Sequence, residues 1–135
     1  AIVGVGERVE FRAMDARKLD LGDGEVDVVV TQLMLHHLPA GDAALVLAEL
    51  DRVAAVNWLA FDLKRSAAAL PALWAFLKLT SEATTRHDGV TSLRRAYSLE
   101  EVRALVDAAE LADIDIGELM PAGWTAQRRS GLRTE

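Results

Sequence analysis

Apolar and polar residues alternate with period two along Val9-Glu10-Phe11-Arg12-Ala13-Met14, the pattern of a strand with one covered face, and the run ends on Asp15. Leu19 and Leu21 follow among charges, and Gly22-Asp23-Gly24 marks a turn. Val26-Asp27-Val28-Val29-Val30 is β-branched and almost unbroken, as expected of a strand covered on both faces of a mostly parallel sheet. Asp42 reads as the N-cap of a helix whose buried side is Leu45, Leu47, Leu50 and Val53. "VNWLAFDL" is a further strand ending near Asp62. Leu70, Leu73, Trp74 and Leu77 fall at i, i+3, i+4 and i+7 of an apolar helix, with Pro71 tolerated in its first turn. Ser81 to Ser92 reads as a polar loop. In "YSLEEVRALVDAAEL", Ser98 and Glu101 have the spacing of a capping box, and Leu99, Val102, Leu105 and Val106 form the apolar stripe. "ADIDIGELM" and "GWTAQRRSG" close the chain as two strands, and Arg128, Arg129 and Arg133 read as a solvated tail.

The pattern therefore predicts strands near 9–15, 26–31, 56–62, 113–119 and 123–128, and helices near 41–54, 67–79 and 98–110, in one domain over 1–135. Strands separated by helices imply crossover connections and a largely parallel sheet, so the fold class is α/β with flanking helices. Ligands of such sheets bind beyond the carboxyl ends of the strands. Asp15, Thr31, Gln32 and Asp62 are expected there, lining one crevice.

Composition narrows the partners. The 135 residues are 51% hydrophobic and 27% charged, a globular balance. A formal net charge of -6 argues against a nucleic acid or an anionic membrane surface as the main partner. There is no cysteine, hence no disulfide framework and no thiolate chemistry. The run from Ala67 to Leu79 is too short for a bilayer and contains Pro71 and Lys78, and the first residues lack the pattern of a secretion signal, so a cytoplasmic protein is expected. His36 and His37 are adjacent, without the spacing of a helical metal pair, and no metal site is expected.

"VEFRAMDARKLDLGDGEVDVVVTQLMLHHLP" resembles the middle of a class I S-adenosylmethionine-dependent methyltransferase. That family has a strand ending in Asp-Ala, a short passage leading to Asp-Gly and a β-branched strand, and a run into "LHHL". "FDLKRS", "RHDG" and "SLRRAYSLEEVRALVDAAEL" resemble its second half. The resemblance implies a Rossmann-like sheet, mostly parallel, with an antiparallel strand near the carboxyl terminus. The family's glycine-rich cofactor loop has no counterpart here. Gly4 and Gly6 precede a strand and not a helix, so they lack the context of an anion-cradling turn. The chain is accordingly expected to be amino-terminally truncated, the later two-thirds of such a domain.

The resemblance assigns S-adenosylmethionine as cofactor and places Asp15, Ala16, Thr31, Gln32, Leu33 and His36 against it. Asp15 would accept from the adenine amine, since an ionised carboxylate only accepts. The plain alternatives are a solvated aspartate at a strand end and a Thr31 that merely ends its strand. His37 and His87 are candidate bases, the former against a packing role, the latter beside Asp88 in the loop. Asp62, Arg65, Trp74 and Arg86 are candidate substrate contacts, against readings as a solvated charge cluster and as core. The activity implied is methyl transfer to a small-molecule acceptor. One alternative is a non-catalytic remnant acting as an interaction module, with a homodimer formed through an exposed sheet edge. Another is a fragment of a nicotinamide-dependent oxidoreductase, which has no feature comparable to "LMLHHLP" in its favour.

Overall fold

The computed structural model describes residues 9–66, 83–119 and 122–129, with the side chains of residues 83–88 left out. Seven elements follow in chain order: β1 (Val26–Gln32), α1 (Ala40–Val53), β2 (Ala54–Leu63), α2 (Ala83–Arg95), α3 (Leu99–Ala108), β3 (Ile114–Leu119) and β4 (Gly123–Arg128). The described strands form one sheet in the order β1-β2-β4-β3. β1 pairs parallel to β2, while β4 runs antiparallel to both β2 and β3. Three strands thus share a direction, and the last strand is inserted between two of them the other way. The fold is α/β, with parallel and antiparallel ladders in one sheet.

The sheet's inner face carries Val29 and Thr31 of β1 opposite Trp58 and Ala60 of β2. α1 lies against β1, β2 and α3, and α3 against β3. Trp58, Trp124, Val46, Leu47, Val102 and Leu105 are buried in the resulting core. The stripe of α3 is inside as its period predicts, and Ser98 Oγ accepts from the Glu101 N–H while the Glu101 carboxylate accepts from the Ser98 N–H. In α1 the phase differs from expectation: Leu45 is half exposed, and Ala43, Ala44 and Val46 join Leu47, Leu50 and Val53 inside. Pro39, not Asp42, occupies its N-cap, and Asp42 sits in the first turn, where its charge complements the helix dipole.

Three expectations need correction. Val9 to Met14 is exposed irregular chain without a strand partner among the described residues, and Phe11 is 94% exposed. Alternation makes a strand only where a ladder partner exists, and the bridge at Asp15 closes locally on Lys18. The polar stretch read as a loop is helix from Ala83, because its carboxyl end docks Leu93 and Ala96 into the interior. Arg128 is no solvated tail: its guanidinium donates to Asp51 Oδ1 at 2.7 Å and to the Asp51 carbonyl at 3.0 Å, tying β4 to the end of α1. The helix expected near 67–79 lies outside the described residues, as do Gly4, Gly6 and Arg133. No helix among the described residues is long and apolar enough to cross a membrane.

Candidate functional site

The carboxyl ends of β1 and β2 lie side by side, Gln32 beside Phe61. From there the chain enters a turn in which Leu33 adopts a left-handed backbone, φ 51°. The Leu33 N–H donates to the Phe61 carbonyl at 2.9 Å. A single 3₁₀ turn, Leu35–His37, follows and leads to α1. α2 packs against this turn. Tyr97, just beyond α2, donates its hydroxyl to the Leu38 carbonyl at 2.7 Å, and its own carbonyl accepts from the Arg65 N–H at 3.0 Å. Burial, then the negative charges of Glu101 and Asp62, raises the pKa of the Tyr97 hydroxyl above its usual value. One edge of the sheet therefore gathers the exits of β1 and β2, the turn after α2 and the start of β4.

The centre of this edge is a buried pair. The His36 Nδ1 and Asp62 Oδ1 atoms are 2.6 Å apart, with side chains 4% and 1% exposed. The backbone N–H of His36 donates to Asp62 Oδ2 at 3.0 Å, and that of Leu63 to Oδ1 at 2.6 Å. Both carboxylate oxygens thus accept from backbone donors, and a carboxylate only accepts, so the imidazole contact is one in which Nδ1–H donates. Beside the pair, Trp124 stands opposite Asp62 in the β2–β4 register, and its buried indole N–H has no hydrogen-bond partner among the described residues. His37 is exposed, with its ring 4.0 Å from that of His36.

Asp15 lies in an exposed turn at the same end of the sheet. Arg17 fixes it there, donating to Asp15 Oδ2 at 2.7 Å and to Asp42 Oδ2, in the first turn of α1, at 3.2 Å. The Arg17 side chain, and then its backbone N–H, lower the Asp15 carboxyl to about 2. Ala16 packs against the core. Arg52 clamps the descending segment to the far end of α1, donating to the carbonyls of Leu19 at 3.2 Å and Leu21 at 2.8 Å.

The structure thus brings Gln32, Leu33, His36, His37 and Asp62 together, with Asp15 and Ala16 at the neighbouring end of α1. Thr31 is buried on the helix-covered face. Arg65 donates to Glu101 Oε1 at 2.5 Å, pairing with the cap of α3. Arg86 and His87 fall in α2, with side chains outside the described residues, and Trp74 lies outside them altogether. The sequence reading named His36 and Asp62 in separate roles and missed that they are partners. Both follow the carboxyl end of one of two adjacent strands, which is the signal that links them. Tyr97 carried no signal.

The family model of a methyltransferase domain matches residues 2–57. No curated protein matches the sequence. Among solved structures, an S-adenosylmethionine-dependent methyltransferase from Aquifex aeolicus aligns over 87% of this chain and 53% of its own at 18% identity, TM-score 0.58. PigF, solved with SAH, aligns over 93% and 37% at 16% identity, TM-score 0.60. Human N-acetylserotonin methyltransferase, in complex with SAM, aligns over 95% and 35% at 13% identity, TM-score 0.58. The chain spans between about a third and about half the length of these three structures. Residues 2–57 thus match a methyltransferase domain, and the sheet has the fold seen in these methyltransferase structures.

Proposed function

We propose that the edge formed by Asp15, Gln32, Leu33 and His36 binds S-adenosylmethionine, and that the protein transfers its methyl group to a small-molecule acceptor. The observation that carries this reading is the convergence of the β1 and β2 exits with the Asp15 turn at one end of the sheet, where the Asp15 turn and β1 lie within the stretch matched by the methyltransferase domain model. The residues fit the adenosine end of the cofactor: Asp15 is an exposed carboxylate that stays ionised, and adenine offers an amine donor. Bound S-adenosylmethionine supplies a sulfonium-activated methyl carbon. The protein's part is then to hold donor and acceptor in line, and a general base is optional. The acidic balance of the chain supports a small molecule over a nucleic acid as acceptor.

The test is calorimetric titration with S-adenosylmethionine and S-adenosylhomocysteine, with Asp15→Ala as control. Micromolar binding that weakens about tenfold or more in Asp15→Ala supports the reading, on the scale of a lost charged hydrogen bond. No heat from a folded sample overturns it for this chain. A second reading, a non-catalytic interaction module, is favoured by two observations. Arg17 holds the Asp15 carboxylate, and Val28, Val30 and Val56 leave apolar surface on the sheet exposed. Titration without heat from a folded sample that self-associates is the result that module predicts.

A further inference from the structure

The turn between β1 and α1 is fastened at both ends to consecutive residues of β2. Leu33 N–H is bonded to the Phe61 carbonyl at 2.9 Å, and three residues on, His36 holds Asp62 through its backbone N–H at 3.0 Å and its ring at 2.6 Å. At the first fastening Leu33 keeps φ 51°, a left-handed conformation that costs a residue with a β-carbon. Neither glycine nor asparagine stands there to relieve it. Such a conformation persists only where the surroundings impose it, and strained residues of this kind gather at sites that work. The imposing element here is the buried pair. It is enclosed, and its carboxylate is matched by three donors, so it has one arrangement rather than several.

We propose that the His36–Asp62 pair is the positioning device of the crevice. It holds the 33–36 turn in its strained form, setting Gln32 and Leu33 at the rim, and fixes the His36 ring through Nδ1. Its role in ligand binding rests on the cofactor reading above; its role in holding the turn does not. Two variants at one position separate the parts of the pair. In His36→Asn the side-chain amide replaces the Nδ1–H donor in nearly the same place, and the latch survives. In His36→Leu the donor is gone, with a side chain of similar bulk.

Hydrogen exchange of the Leu33 N–H reads the latch directly, and titration with S-adenosylhomocysteine reads the rim. We expect protection of Leu33 to fall at least tenfold in His36→Leu and by less than threefold in His36→Asn. Adding Leu33→Gly to His36→Leu should restore most of that protection, because glycine takes the left-handed form freely. Affinity for S-adenosylhomocysteine should fall with the protection in His36→Leu. ¹⁵N chemical shifts of His36 in the parent should show a protonated Nδ1. Unchanged protection in a folded His36→Leu, or equal loss in both single variants, overturns the proposal. If the parent binds no S-adenosylhomocysteine, the cofactor reading fails while the exchange data still decide the latch.

Discussion

Asp15 is held by a neighbour two residues away, and that local contact sets its acidity. The Arg17 guanidinium is the first cause and the Arg17 backbone N–H the second, and together they bring the carboxyl to about 2. A carboxyl lowered on folding gives stability that is present above its ordinary value and lost as pH falls through the folded one. The Asp15–Arg17 contact is therefore intact at neutral pH and opens only on approaching pH 2. The Asp15 carboxyl carbon, followed by NMR, should titrate near 2 in the parent and return toward the usual 3.8 in Arg17→Ala. Any share that Asp15 has in ligand binding should be flat between pH 5 and 8, since the group does not titrate there. A midpoint in that window would mean that Arg17 does not hold it in solution.

The ends of α3 show how an element is fixed by its termini as well as by its stripe. At its start, Ser98 and Glu101 satisfy each other's backbone donors, and the same contacts, with Arg65, hold the Glu101 carboxyl below the usual range. Ser98→Ala should cost about 1 kcal/mol in urea unfolding. At its other end the Leu111 N–H returns to the Val106 carbonyl at 3.2 Å and the Glu110 N–H to Asp107 at 3.0 Å. This is the C-terminal motif that normally uses glycine, yet Glu110 stands at the left-handed position with φ 55°. Glu110→Gly should accordingly raise stability by about 1 kcal/mol, since the β-carbon penalty is removed. Equal or lower stability would show that the Glu110 side chain contributes more than its backbone costs.

For the whole molecule, the two faces of the sheet are unequal. One is sealed by α1 and α3 around Leu47, Trp58 and Trp124, and Leu47→Ala there should cost about 2–5 kcal/mol in thermal or urea unfolding. On the other face Val28 is 54% and Val30 61% exposed, beside the half-buried Leu59 and Phe61. An apolar patch of this kind favours association between molecules. Light scattering on a size-exclusion column should show a mass that rises with concentration, and Val30→Lys should reduce the rise. A mass that is constant and identical in both chains would remove that face as a contact.

Wherever a local rule suffices, the sequence by itself determined the outcome. The β-branched run from Val26 became a strand, the 3.6-residue stripe and capping box near Ser98 became α3, and the two closing alternations became a pair of antiparallel strands. The order of those elements determined the α/β class, and with it the edge on which polar residues gather. Tertiary structure decided what depends on distant partners. Val9 to Met14 has the alternation of a strand but no ladder partner among the described residues. The residues from Ala83 look like a loop until Leu93 finds the core. Arg128 looks solvated until Asp51 is placed beside it. His36 and Asp62, 26 residues apart, became one buried unit only when β1 and β2 aligned their ends, because a hydrogen bond of 2.6 Å is a fact of space and not of spacing.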